Sequence, residues 1–145
     1  LIGKQILDPV CGDDIKHFDN VNYIGNKIDR EEIAEIYRNC DILFFPSAED
    51  CSPNVILEAM ASGLPILTID SGGIKELIYK DHNLKGGIFT DTKNPVLSLD
   101  FLIKNYKEYH NNALEIIKRY HSNENSLMKY FDSINSLLNS DVKKN

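Results

Sequence analysis

A chain of 145 residues, 42% hydrophobic and 26% charged, has the length of one globular domain and the composition of an ordinary folded one. No apolar run approaches the about 20 residues that a membrane span requires. The formal charge of −6, from 16 Lys and Arg against 22 Asp and Glu, excludes a broad nucleic-acid footprint and a polybasic membrane surface. Any anionic ligand must be held locally.

The opening Leu1-Ile2-Gly3 reads as a strand end and a turn glycine, so a fragment of a longer chain is expected, with no signal peptide in view. Cys11, Cys40 and Cys51 form no CxxC pair, which speaks against a disulfide framework or a zinc site and for a reducing cytoplasm. Apolar clusters then alternate with helical patterns, as in βαβ units with a parallel sheet. Val21 to Gly25 is predicted as a strand. Asp29 is a cap candidate, followed by acidic Glu31 and Glu32 and a stripe of Ile33, Ile36 and Tyr37, so a helix should end near Cys40. Asp41 to Phe45 is the next strand, apolar from Ile42 onward, as expected of a central strand covered on both faces.

Ser52-Pro53-Asn54 reads as an N-cap with proline at the first helical position, opening a helix to about Ala61, with Gly63 as terminator and Pro65 beyond. Pro65 to Ile69 is a third strand. Ser71-Gly72-Gly73 enters a short helix from Ile74 to Tyr79; the two glycines fit a ligand approach and a tight turn equally well. Gly87 to Phe89 is the last strand. From Pro95 to Leu138 the pattern is helical, with Leu99, Ile103 and Tyr106, then Ala113, Ile116, Ile117 and Tyr120 as apolar positions. Residues 1–140 are expected to form one Rossmann-like α/β domain with C-terminal helices, and 141–145 a frayed tail.

The stretch from Pro46 to Pro65 joins the carboxyl end of an apolar strand to a helix start, where ligands bind in open α/β sheets. Helix-start N–H groups carry the positive end of the dipole and can hold a phosphate without metal or basic side chain. Asp50 stands just outside this helix and Glu58 seven intervening residues on, about two turns from the phosphate-facing end. Two carboxylates so spaced could grip opposite ends of an elongated ligand, each accepting two hydrogen bonds from a vicinal diol. For an isolated acidic pair at this spacing the usual reading is a cap and a solvated helix position. Leu57, Ala59 and Met60 around Glu58 argue against solvation.

Asp50 and Glu58, followed by Ala-Met-Ala-Ser-Gly-Leu-Pro-Ile and then Asp70-Ser-Gly-Gly-Ile-Lys-Glu-Leu-Ile, resemble the carboxyl-terminal half of the group 1 (family 4) retaining glycosyltransferases. Val21-Asn-Tyr-Ile-Gly and Glu31-Glu-Ile-Ala-Glu-Ile-Tyr-Arg-Asn-Cys-Asp-Ile-Leu-Phe-Phe-Pro-Ser match in order and spacing, so the resemblance covers about residues 20 to 90. It implies the second half of a GT-B fold, holding a nucleotide-diphosphate sugar for retaining transfer in polysaccharide or glycoconjugate synthesis. Asp50 would then orient the donor sugar, Cys51 and Ser52 N–H groups its hydroxyls, Asn54 and Val55 N–H groups the diphosphate, and Glu58 the ribose. Gly25, Asn26 and Ile28 would lie by the base. No metal and no cofactor is implied.

The implied partners are the donor and an absent N-terminal acceptor-binding domain of the same chain, with no nucleic acid and no intrinsic transmembrane segment. That absent domain could seat the protein at the inner face of the membrane. The fragment alone would catalyse little. The sequence departs from the family at Asp50, where Glu is usual and Glu49 is an alternative, and at Pro53, often Gly, which has no N–H to offer. The family's diphosphate-facing basic residues fall largely before Leu1. An inactive nucleotide-binding module of the same fold is the alternative function. His17, His82, His110 and His121 are scattered without ligand spacing, and Cys51 has no histidine at a recognisable distance in sequence.

Overall fold

The computed structural model describes residues 29–48, 52–81, 84–91 and 93–122. The chain divides into two compact units, Leu1–Asn39 and Cys40–Asn145. The strand expected at Val21 to Gly25 and the helical pattern beyond Ser122 lie outside the described residues.

In the first unit, α1 spans Arg30–Arg38. Asp29 caps it: its carboxylate accepts from the N–H groups of Glu31 at 2.9 Å and Glu32 at 3.0 Å, satisfying two donors the helix leaves unpaired. Glu31 and Glu32 complement the positive helix end, and Tyr37 is the buried member of the expected stripe.

The second unit runs β1 (Leu43–Phe45), α2 (Asn54–Ala61), β2 (Ile66–Thr68), α3 (Ile74–Ile78), β3 (Gly87–Phe89), α4 (Pro95–Lys104) and α5 (Tyr106–Ile116). A π-helical turn, Ile117–His121, closes it. The strands form a parallel sheet in the order β1-β2-β3, with Leu43 opposite Ile66 and Ile66 opposite Gly87. This is the Rossmann-like α/β architecture expected, with helices as the crossovers between parallel strands.

The cover expected on both faces of β1 is incomplete. Phe44 is 47% exposed, whereas β2, which lies between β1 and β3 among the described strands, is buried at all three residues. Apolar character sets that a strand seeks cover, and sheet order, which depends on the crossovers, sets which strand receives it. Strand alternation sends Leu67 to the opposite face from Ile66 and Thr68. On its face, Leu67 meets Leu102 of α4 and Tyr109 of α5, with Ile42, Ile88 and Leu99 around them.

A second correction falls on α4. Pro95 takes the first helical turn as its fixed φ allows, but Leu102 is the buried residue and Ile103 is 55% exposed. The helix turns about 100° per residue, so choosing Leu102 as the anchor puts its neighbour outside. In α5 the expected Ala113 and Ile116 are buried, together with Tyr109.

Candidate functional site

The site is assembled where β1 and β2 end. Residues 46–53 lead from β1 to α2, and residues 69–73 lead from β2 to α3. Pro53 is the N-cap of α2, with φ −71° and ψ 117°, so the helix begins one residue later than expected and proline stands before its first turn. Ser52 is exposed, and among the described residues no side chain caps α2. Ile56 N–H donates to Pro53 O at 3.1 Å. Helix geometry provides no internal acceptor for the N–H groups of Asn54 and Val55 ahead of it.

Asn54 and Glu58 are both exposed, while Ile56, Ala59 and Met60 face the core. Asn54 and Glu58 are four residues apart and share the outer face of α2, separated by about 6 Å along the axis. This corrects two expectations. Glu58 lies one turn from the helix start rather than two, because the helix begins at Asn54, only four residues before it. It is also solvent-facing despite its apolar neighbours, because those neighbours occupy the other side of the helix.

The opposite end of α2 is closed. Gly63, at φ +84°, follows the C-cap Ser62. Gly63 N–H donates to Met60 O and Leu64 N–H to Ala59 O, both at 3.0 Å, the paired bonds of a Schellman motif. Nδ1 of His110 lies 2.7 Å from Gly63 O; a carbonyl only accepts, so this ring nitrogen carries the proton. A Cβ at Gly63 would stand 2.5 Å from Cε1 of His110. The scattered histidines therefore include one with a structural task that sequence spacing could not show.

Two hydroxyls missed by sequence reasoning also act here. Thr68 Oγ1 donates to Phe45 O at 2.6 Å, and Ser71 Oγ donates to Ser47 O at 2.7 Å. A threonine within the apolar run Pro65 to Ile69 was the available signal for the first. Gly72, at φ +51°, supplies the turn into α3, which accounts for the first of the paired glycines without a ligand. Near this loop the Tyr79 hydroxyl is held above its ordinary value, first by burial and then by the charge of Asp70.

Of the residues expected to bind, Ser52, Asn54, Val55 and Glu58 are gathered at the start of α2. Gly25, Asn26, Ile28, Asp50 and Cys51 lie outside the described residues. Among the described residues no three His, Cys, Asp or Glu side chains are grouped as a metal site requires, and no helix is long and apolar enough to cross a membrane.

Residues 2–105 match the family described as glycosyl transferases group 1. A stretch of 95 residues is 34% identical to an N,N'-diacetylbacillosaminyl-diphospho-undecaprenol alpha-1,3-N-acetylgalactosaminyltransferase of Campylobacter jejuni, covering 65% of this chain and 24% of that one. Over 72 residues it is 32% identical to a D-inositol 3-phosphate glycosyltransferase of Corynebacterium urealyticum, covering 50% and 16% respectively. The fold is similar to a crystal structure of Anabaena HepE in complex with UDP, with a TM-score of 0.51 and 20% identity over 86% of this chain and 32% of that one. The chain thus spans about a quarter or less of these two curated relatives.

Proposed function

Since the chain belongs to the glycosyl transferases of group 1, we propose that it is the part that holds the sugar donor. Residues 1–140 form the nucleotide-sugar-binding domain of a GT-B enzyme, with 141–145 as a tail, and an acceptor-binding domain of the same protein completes the active site. The observation that carries this reading is the start of α2: no described side chain caps it, it follows the loop from β1, and Asn54 and Glu58 share its outer face.

On this reading the donor diphosphate accepts from the N–H groups of Asn54 and Val55 at the positive end of α2. Glu58 accepts from the two ribose hydroxyls one turn along. Ser52 and Cys51 N–H groups hold hydroxyls of the sugar, and Asp50 orients it. When the bond from the anomeric carbon to the phosphate oxygen breaks, the electron pair leaves with the diphosphate, and the oriented N–H groups stabilise that growing charge. The sugar is transferred with retention, and neither metal nor cofactor is needed. The proposed role is in glycoconjugate or polysaccharide assembly in the cytoplasm, and the diphospho-undecaprenol in the name of the Campylobacter jejuni relative supports the glycoconjugate part of it. Without the acceptor lobe the chain binds donor weakly and turns over little.

Calorimetric titration of UDP, GDP and their sugar conjugates against the chain and its Glu58→Ala variant tests this. Saturable binding by the wild type that the variant loses is expected. A folded wild-type chain that binds none of them overturns the reading.

A further inference from the structure

α2 is held in two ways along its length. Ile56, Ala59 and Met60 bury one face, and α5 packs against the helix. Apolar packing is non-directional: it sets how far a helix stands from its neighbours more sharply than it sets the helix's rotation about its own axis. The directional contact is at the C-terminal end. Gly63 and Leu64 N–H groups bond back to Met60 O and Ala59 O, so the peptide between Gly63 and Leu64 moves with the last turn. His110 of α5 donates from Nδ1 to Gly63 O at 2.7 Å. Every residue from Gly63 back to Asn54 is described, and the helix hydrogen bonds join them into one rod about 12 Å long.

His110 is fixed in turn. Its neighbour Tyr109 packs with Leu67 and Leu102, and Asn112 Nδ2 donates to Lys85 O at 3.2 Å, so α5 is tied to the sheet and to the chain entering β3. Tyr106, one turn before His110, stacks on the imidazole with ring centroids 5.7 Å apart and planes inclined by 24°, which holds the ring plane. A group at the helix surface stands about 5 Å from the axis, so a rotation of about 10° moves it by about 1 Å. Binding groups must be held within about 0.5 Å, so the bond that stops this rotation bears on binding.

We infer that His110 is a positioning residue for the donor: through the Gly63 carbonyl it sets the rotation of α2 that aims the Asn54 and Val55 N–H groups and the Glu58 carboxylate. The imidazole touches no ligand in this scheme. The inference rests on the donor-site reading above and adds that nucleotide affinity depends on a residue of α5, at the far end of the helix from the diphosphate.

The test compares wild type, His110→Asn, His110→Gln, His110→Ala and Glu58→Ala by titration with UDP and GDP, by amide chemical shifts and by urea unfolding. Asparagine carries an N–H donor near the place of Nδ1, whereas glutamine carries it one methylene further out, and both lose the stacked ring. His110→Gln and His110→Ala should weaken the nucleotide that wild type binds by about threefold to tenfold under conditions where they are fully folded, with shifted amide resonances at Asn54 and Val55. His110→Asn should bind as wild type does and return those resonances, even where its unfolding midpoint falls as far as that of His110→Gln. Wild-type affinity in folded His110→Gln or His110→Ala overturns the positioning role while leaving the donor site standing. Affinity in His110→Asn no better than in His110→Gln reduces His110 to a structural residue and also overturns it. Wild type that binds neither nucleotide, like Glu58→Ala, overturns the donor site and this inference together.

Discussion

The two ends of α2 are built on opposite principles. Its C-terminus is closed by several devices at once: a glycine in the left-handed region, both Schellman bonds, a buried Leu64 and a histidine ring on the Gly63 carbonyl just past the helix. Its N-terminus has proline where a capping side chain is usual, and exposed Ser52 and Asn54 beside it. The closed end packs against α5 and settles where the helix lies. At the other end, among the described residues, no side chain caps the first turn.

The largest effect should come from forcing the closed end. Gly63→Ala combines a strained backbone with the His110 ring in its path, and should cost about 2–4 kcal/mol in urea unfolding. An unchanged midpoint would show that the turn is not the anchor. At the open end, Glu58→Ala should lower nucleotide affinity by about tenfold while leaving stability within about 0.5 kcal/mol, as for other outward-facing substitutions. A large loss of stability there would abolish the contrast between the two ends.

His110→Ala should cost about 1 kcal/mol by removing one hydrogen bond. In the His110→Ala background Gly63→Ala should cost less than in wild type, because the clash goes and only the backbone strain stays; a double-mutant cycle reads this directly. The smallest effect lies away from both ends. Burial holds the Tyr79 and Tyr109 hydroxyls above the ordinary 10.0, assisted at Tyr79 by Asp70 and at Tyr109 by Tyr79 and then Glu108. Neutral tyrosine is the favoured folded form, so this stability is fully present below pH 10.0 and is lost as pH rises through the raised values. Tyr109→Phe should flatten that alkaline decline in thermal melts; an equally steep decline would assign it to other groups.

Local patterns were legible because their causes are local. Asp29 before two glutamates announces α1, and Gly63 after an apolar helix announces the end of α2. The stretch from Pro46 to Pro65 likewise marked the connection from β1 to α2. Misreadings arose where a choice between neighbours was needed. Leu102 against Ile103, the exposure of Phe44 in β1, and the outward turn of Glu58 each depend on which partner element arrives. No composition or period contains that information.

By itself, then, the sequence determined the alternation of strands and helices, the cap of α1 and the closing turn of α2. Those follow from backbone preferences and from spacing within one helix or strand, which neighbouring residues alone decide. Only the tertiary structure decided that Thr68 and Ser71 hold carbonyls of the preceding strand and its loop, and that His110 meets Gly63 across 47 residues. A hydrogen bond between distant segments exists only after the sheet and its crossovers have brought donor and acceptor within 3 Å or so of each other, and that approach belongs to the fold as a whole.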